Sequence, residues 1–469
     1  MLLNSLPFAA FFAVFYVLYV TLKGRAQTLV LLLASYVFYG LWDYRFLLLL
    51  LATTLTDFVC GWGLGRDHRI WVRRALLLLS LGVNLGVLFF FKYFHFFADN
   101  AVQLLHAIGF SPDPITLKIL LPVGISFYTF RSLTYTVDIY RRQANPTRNL
   151  LDYAVFVSFF PQLIAGPIER ARTFLPQISA ERRITYPMVG EGAWLILFGL
   201  FKKVVVADNM AVMADAFFKQ PGDYPGLGAW LGIYAYTLQI YGDFSGYTDL
   251  ARGTSRLLGF EPAPNFRMPY FATNPPDFWR RWHISLSTWL RDYLYISMGG
   301  NRGGTLRTYR NLFMTMLLGG LWHGAAWNFV LWGAYHGMAL VLHRLLLLIW
   351  PVQPRDGTRG RVTALVKILA MLHIAAFGWI LFRIESLSKL PDILHAMTQF
   401  ALSSPEWAVV IAVYAAPLLL VDFLQERSGN MGVVKTYPPA VRLLVYGVLL
   451  FYVLACGRVE GFQFIYAQF

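Results

Sequence analysis

Charged residues are scarce in this chain of 469 residues, at 14% of the total, whereas a soluble domain carries about 25%. Hydrophobic residues reach 57%, and the mean hydropathy is +0.52. The shortage of charge excludes an ordinary soluble globular protein and predicts an all-α polytopic membrane protein. We expect one helical membrane domain that uses residues 1–469.

Cysteine is nearly absent, because the chain has only Cys60 and Cys456, far apart and in apolar surroundings. Two distant thiols supply neither a disulfide framework nor the ligand spacing of a metal site. We therefore expect buried packing thiols, with no metal site and no bound cofactor.

Acidic residues are few as well: 25 Asp and Glu stand against 40 Lys and Arg, for a net charge of +15. In a soluble protein such a charge would suggest nucleic acid as the partner. Here the basic residues lie in short loops between apolar runs, where anionic lipid headgroups and the positive-inside bias explain them. We predict membrane lipids, and no nucleic acid, as partners.

The loop charges also predict the orientation of the chain. The early predicted spans are Leu6–Leu22, Thr28–Leu41, Phe46–Gly63, Ala75–Phe91 and Ile119–Ile139. Nine basic residues follow the first, third and fifth of these spans, and three lie in the opposite loops. The positive-inside rule then puts the N-terminus outside the cytoplasm. Because no positive charge precedes the first apolar run, we expect a retained span rather than a cleaved signal peptide.

The later apolar segments are shorter, and several cannot cross a hydrocarbon core of about 30 Å at about 1.5 Å per residue. Proline and glycine interrupt them at LPVG (121–124), AGP (165–167) and NPP (274–276). Broken helices are tolerated at membrane depth only where protein or a water-filled cavity surrounds them. We expect about ten to twelve transmembrane and re-entrant helices around a central cavity, without the inverted repeats of many transporters.

The segment FWRRWHISLSTWLRDYLYI, residues 278–296, concentrates charge in this oily chain. On one continuous helix its aromatic residues recur at spacings of three and four, and Arg280, His283, Ser287 and Arg291 share another face. Asp277 is expected to cap its N-terminus. One interpretation is an interfacial helix whose arginines meet lipid phosphates. The other is a helix that dips into the protein and holds a charged substrate or acyl carrier, because arginine donates paired hydrogen bonds to phosphate.

Two histidines lie in the apolar stretch 316–337, each beside a G-x-x-x-G pair that favours close helix packing. For His336 we favour a packing role with a hydrogen bond across the helix interface. For His323 we favour function, since an ionisable group at membrane depth is rare. A buried imidazole stays neutral and can accept a proton from a hydroxyl as a general base. The chain has no GxSxG motif, which favours direct acyl transfer over an acyl-enzyme.

The stretch 239–253, QIYGDFSGYTDLARG, places Asp243, Ser245 and Asp249 between two apolar runs, Leu227–Tyr241 and Phe244–Leu258. We favour a helix break whose acids pair with nearby arginines. The alternative is that these side chains line the entrance of the cavity.

These motifs together resemble the membrane-bound O-acyltransferase (MBOAT) family. The resemblance rests on residues 278–296, on GGNRGG (299–304) and on MLLGGLWHGAAWNF (316–329), and it extends over the chain through LPVGISFYTF, FPQLIAGPIER, YGDFSGYTDLA, NFRMPY and FQFIYAQF. Within the family, the chain looks most like the bacterial alginate O-acetyltransferase branch. The resemblance implies a ring of helices around a central tunnel, with a catalytic core at about 119–350.

The resemblance also implies the site and the reaction. The family's active histidine matches His323 and a second family histidine matches His283. The predicted donor-binding residues are Arg280, Arg281, Ser287, Arg291, Trp322 and Asn328. The expected donor is acetyl-CoA or another acyl thioester, and the expected acceptor is an extracellular polysaccharide such as alginate, reached directly or through a periplasmic SGNH-like acetyltransferase. The expected location is the bacterial inner membrane, with a periplasmic N-terminus.

Two rival functions belong to other classes. A polysaccharide or lipid-linked sugar transporter would need charged sites at the membrane midplane and a rocking bundle, and the lack of visible repeats argues against it. A membrane anchor would merely recruit the true transferase.

Overall fold

The computed structural model describes residues 1–66, 69–111, 117, 119–350, 357–458 and 464–465. All regular structure in these ranges is helical, apart from a single bridge between Gly226 and Leu402. The all-α fold predicted from composition is therefore confirmed. Six helices of the described residues are long and apolar enough to cross a membrane: Arg45–Arg66, Ile70–Ala107, Trp327–Ile349, Gly360–Arg383, Glu406–Ser428 and Pro439–Cys456.

The chain divides into two compact units. The first comprises residues 1–196 and 250–263. Its helices are α1 (Leu6–Thr21), α2 (Gly24–Gly40), α3 (Arg45–Arg66), α4 (Ile70–Leu88), α5 (Phe94–Ala107), α6 (Ile125–Tyr140), α7 (Leu150–Ser158), α8 (Ala171–Ser179) and most of α9 (Tyr186–Leu200). A π-helical turn, Phe89–Tyr93, joins α4 to α5. The predicted fifth span begins six residues late, at Ile125, because Gly124 caps α6 with a φ of +74°.

A buried polar cluster ties three helices of the first unit together. The Asp57 carboxylate on α3 accepts hydrogen bonds from Ser80 Oγ at 2.6 Å and Asn84 Nδ2 at 2.8 Å, both on α4. Ser80 Oγ also lies 2.9 Å from Thr136 Oγ1 on α6. A buried carboxylate is tolerated when its oxygens are hydrogen-bonded, and the directionality of these bonds fixes how the apolar helices pack.

The second unit comprises residues 197–249 and 264–469. Its helices are α10 (Asp208–Lys219), α11 (Leu227–Leu257, continuing into the first unit), α12 (Pro275–Arg281), α13 (Ile284–Trp289), α14 (Thr305–His323), α15 (Trp327–Ile349), α16 (Gly357–Arg383), α17 (Leu390–Thr398), α18 (Glu406–Ser428) and α19 (Pro439–Cys456). Two π-helical stretches, Phe201–Ala207 and Leu290–Tyr295, extend α9 and α13.

Glycine allows α14 and α15 to pack at very short range. A Cβ atom on Gly333 would lie 2.5 Å from the Met316 carbonyl oxygen and 3.1 Å from the Gly320 Cα. A Cβ on Gly337 would lie 3.1 Å from the Phe313 Cα. The predicted role of these glycines in helix contact is confirmed, and the contact holds the last turn of α14 against the first turns of α15.

The predicted helix break at residues 239–253 is wrong, because α11 runs unbroken through it. Its glycines serve close packing instead: a Cβ on Gly246 would lie 2.8 Å from the Gly199 carbonyl oxygen. Two of the acids pair with lysines. Lys203 Nζ lies 2.7 Å from Asp243 and 2.8 Å from Asp208, and Lys202 Nζ lies 2.5 Å from Asp249.

Candidate active site

The charged segment 278–296 is not one helix, so the predicted common face of Arg280, His283, Ser287 and Arg291 is wrong. Helix α12 ends at Arg281, and α13 begins at Ile284. Between them His283 adopts a left-handed conformation with a φ of +43°, which costs a non-glycine residue roughly 1–2 kcal/mol. Asn265 offsets this cost, because its carbonyl oxygen accepts from the Ile284 N–H at 2.9 Å and its side chain accepts from the Ser285 N–H at 3.1 Å.

The N-terminus of α12 is capped by Asn274, not by Asp277 as predicted. Asn274 Oδ1 accepts from the Asp277 N–H at 2.9 Å, and the Asp277 carboxylate accepts from the Thr273 N–H at 3.1 Å. Asp277 is therefore the third helical residue, and its side chain binds the N–H of Thr273, one residue before the N-cap Asn274. The same carboxylate also binds Arg281 Nε at 3.0 Å, one turn later.

The His283 ring is fully buried and has a defined tautomer. Its Nδ1 lies 3.1 Å from Asn265 Oδ1. That oxygen also accepts from the Ser285 N–H and Oγ, so it acts only as an acceptor and His283 Nδ1 carries the hydrogen. Burial lowers the pKa of the imidazole to about 3, because the charged form loses its hydration. His283 is therefore a neutral ring held in one orientation.

His323 is the last residue of α14 and is buried among aromatic rings. Its ring centroid lies 5.0 Å from Trp322, 4.9 Å from Trp332 and 5.4 Å from Phe382. The helix ends here because Gly324 is fully extended. The partial negative charge at a helix C-terminus favours a cation, so this position suits an imidazole that takes up a proton during a reaction.

The two predicted histidines share one neighbour. The Trp322 ring lies 6.1 Å from His283 and 5.0 Å from His323. His283, in the break between α12 and α13, and His323, at the end of α14, are 40 positions apart in the sequence but contact the same indole ring.

A cavity of about 760 Å³ opens beside this aromatic cluster. Three predicted donor-binding residues line it, namely Arg280, Ser287 and Arg291. The sequence did not single out His343 and Arg344 on α15, which also line it together with Leu340 and Leu347. These four follow the i, i+3, i+4, i+7 spacing of one helix face. The adjacent His and Arg near the end of an apolar span were the sequence feature from which His343 and Arg344 could have been predicted.

The other predicted donor-binding residues lie elsewhere. Arg281 is engaged by Asp277 and by Glu426, whose carboxylate lies 2.6 Å from Arg281 Nη1. Trp322 is buried between the histidines. Asn328 is buried at the start of α15, where its Nδ2 donates to the Ile384 carbonyl oxygen at 3.0 Å. These three side chains do not line the cavity in the described part of the chain.

Two indole rings in contact connect the cavity wall to His323. Trp279 lines the cavity and lies 5.7 Å from Trp332. Trp332 in turn lies 4.9 Å from His323. His336 packs against the same two indoles, at 5.1 Å and 4.9 Å. Among the described residues neither nitrogen of His336 has a hydrogen-bond partner, so its predicted packing role holds without the predicted bond.

A second, smaller cavity of about 360 Å³ lies at the opposite end of α15. Arg383 and Ile384 line it, directly after Phe382, which contacts His323. The remaining lining side chains are mostly charged: Asp215, Lys219, Glu385 and Lys389, with Phe218. Ile384 lines this cavity and accepts the hydrogen bond from Asn328, so the cavity lies at the start of α15. Arg344 is 16 residues further along the helix, about 24 Å away at about 1.5 Å per residue.

Comparison with known proteins shows which family the chain belongs to. The family model described as MBOAT, membrane-bound O-acyltransferase family, matches residues 141–382. The chain is 44% identical to the probable alginate O-acetylase AlgI of Pseudomonas putida, over 83% of this chain and 78% of that protein. It is 41% identical to the probable alginate O-acetylase AlgI of Azotobacter vinelandii, over 94% and 84%.

A relative that is named for a different polymer is the peptidoglycan O-acetyltransferase of Helicobacter pylori, 37% identical over 78% of this chain and 73% of that protein. The family match covers more than half of the chain and includes both histidines and the large cavity. The chain therefore belongs to the membrane-bound O-acyltransferase family and is a multi-pass membrane acyltransferase.

Proposed function

We propose that the chain transfers an acetyl group from a thioester donor at the cytoplasmic face of the bacterial inner membrane toward a hydroxyl group of an extracellular polysaccharide. The observation that carries the proposal is the position of His323. It lies beside aromatic residues that lead to the large cavity on one side and to the small charged cavity on the other.

The large cavity suits a phosphorylated thioester carrier such as acetyl-CoA. Its cationic lining residues, Arg280, Arg291 and Arg344, are exposed, while Leu340 and Met316 supply an apolar wall. Arginine binds phosphate through paired hydrogen bonds, and the apolar wall suits the uncharged arm that ends in the thioester. The positive-inside rule assigns the arginine-rich end of this unit to the cytoplasm.

His323 is the proposed general base. It takes the proton of the acceptor hydroxyl while the hydroxyl oxygen attacks the thioester carbonyl. The carbon–sulfur bond breaks, an oxygen ester forms, and the proton passes to the departing thiolate. His283 is held neutral by burial and oriented by Asn265. It assists by packing against the Trp322 ring and holding that ring in position beside His323.

The acceptor approaches from the small cavity, whose mixed charges suit a polar, hydroxyl-bearing group. The relatives are named for alginate and for peptidoglycan as acetylated polymers. We propose alginate or a related polysaccharide, acetylated directly or through a periplasmic acetyltransferase of the SGNH-like class that accepts the acetyl group first. The N-terminus is then periplasmic.

The test replaces His323 by alanine and measures ester-linked acetyl on the secreted polymer. Loss of a general base lowers rates by roughly 10²–10⁴, so acetylation should fall to background while the protein stays in the membrane. His395→Ala is the matched control, because His395 is an exposed histidine on α17. Normal acetylation in the His323 variant would refute the proposal. Loss of polymer export, with acetylation intact on what is exported, would favour a transporter.

A further inference from the structure

A short segment after α19 reaches the aromatic cluster around His283. Of the motif FQFIYAQF, the structure describes Phe464 and Ile465, which we call the docked pair. Both side chains are buried. The Phe464 ring stacks on Tyr247 of α11 at 4.4 Å and lies 6.0 Å from Phe244.

The docked pair is anchored by a backbone hydrogen bond to a buried charge. The Ile465 N–H donates to Asp243 Oδ2 at 2.8 Å. The other oxygen of Asp243 lies 2.7 Å from Lys203 Nζ. Hydrogen bonds to charged groups are stronger than those between neutral groups, so this contact fixes the position of the docked pair.

The docked pair connects to His283 through a single ring. Phe244 follows Asp243 on α11, and its ring lies edge-on to the His283 ring at a centroid distance of 4.6 Å and an angle of 90°. Phe464 itself lies against Phe244, at 6.0 Å, and Tyr247 holds it there from α11, at 4.4 Å. Since cores are close-packed, a shift of Phe464 is transmitted to Phe244 and then to the imidazole.

We propose that the docked pair is a positioning element of the acyl-transfer site, which holds Phe244 against His283 through the bond from Ile465 to Asp243. The inference rests on the proposed role of His283. The new point is that the docked pair, which is distant in sequence from both histidines, affects the rate of acyl transfer. In the described part of the chain the docked pair lines neither cavity.

The experiment compares Ile465→Pro with Ile465→Val in the full-length, detergent-purified protein. Proline lacks the N–H that binds Asp243, whereas valine keeps it. With acetyl-CoA as the donor probe, Ile465→Pro is expected to lower kcat at least about tenfold, the size of one charge-assisted hydrogen bond, with the donor KM unchanged. Ile465→Val should behave as the wild type.

A second measurement is independent of activity. Diethyl pyrocarbonate modifies accessible imidazoles, and peptide mass spectrometry reports the rate at each histidine. In Ile465→Pro the modification of buried His283 should speed up, while that of His336, which is equally buried among Trp279 and Trp332, should not. A selective rise at His283 supports the proposal even if the His323 variant refutes the proposed chemistry.

Two results would overturn the inference. If Ile465→Pro matches Ile465→Val in kcat and in the modification of His283, the docked pair positions nothing. If His283 and His336 become reactive together, the segment supports the fold in general rather than the site.

Discussion

At the scale of single residues, the site depends on Asn265, which the sequence did not mark as functional. Its side-chain oxygen accepts from His283 Nδ1 and from both the N–H and the Oγ of Ser285. The motif residues His323 and His283 could be selected from the sequence because ionisable groups are rare in apolar segments. The left-handed turn at His283 could not, since nothing in the local pattern opposes a continuous helix.

Asn265→Ala should reduce both stability and activity. The change leaves the Ser285 N–H and His283 Nδ1–H buried without an acceptor, at a cost of about 1–3 kcal/mol for each unsatisfied group. We expect a lower melting temperature in detergent and a lower kcat. Ser285→Ala is the control, because it removes one donor and leaves no group unsatisfied. Equal effects of the two substitutions would contradict the role given to Asn265.

The protonation of His283 gives a pH prediction. Its pKa is lowered to about 3 in the folded protein, against an ordinary value of about 6.5. The unfolded chain therefore binds the proton more readily, and this contribution to stability is present above about pH 6.5 and is lost progressively toward pH 3. We expect His283→Gln to show a smaller drop in melting temperature between pH 7 and pH 5 than the wild type. An unchanged drop would argue against this assignment.

At the scale of helices, sequence patterns located the spans well and misjudged their continuity. The polar stretch 239–253 suggested a break, but α11 is continuous. Its glycines Gly242 and Gly246 admit the π-helical stretch Phe201–Ala207 instead. A glycine in a helix gives the same local sequence pattern whether it breaks the helix or allows a neighbouring helix to pack closely. Only the position of the neighbouring helix distinguishes the two. The G-x-x-x-G pairs of α14 and α15 were easier to interpret because both helices carry them.

Gly333→Ala should force α14 and α15 apart. The added methyl group meets backbone atoms of Met316, Leu317 and Gly320 that cannot rotate away. Overpacking of this kind costs about 1–3 kcal/mol, and it displaces the helix end that carries His323. We expect weaker acetylation and a lower melting temperature. Gly86→Ala on α4 is the control, since nothing lies within 4 Å of its added Cβ.

At the scale of the whole molecule, the second unit has two cavities of different character at the two ends of α15. Composition and loop charge were sufficient to predict a multi-pass helical membrane protein. The broken helices predicted a central cavity, but the sequence could not identify which residues line the two observed cavities, because each lining combines several separate segments.

Charge removal in the two cavities should have separable effects. Arg344→Gln is expected to raise the KM for the thioester donor severalfold with little change in kcat, because it removes a cation from the proposed phosphate-binding end. Lys389→Gln removes a cation from the other cavity and should leave the donor KM unchanged. Kinetics of the purified variants at varied donor concentration check this. A raised donor KM in Lys389→Gln alone would reverse the proposed sidedness.

The volume of the large cavity has a bearing on selectivity. At about 760 Å³ it far exceeds what a two-carbon acyl group fills. Most of the space would then accommodate the carrier, and thioesters with longer acyl chains would enter as readily as the acetyl form. We propose that discrimination by acyl chain length depends instead on Trp279 and Trp332, whose rings connect the cavity to His323. Longer donors should therefore act as competitive inhibitors that are bound but rarely consumed.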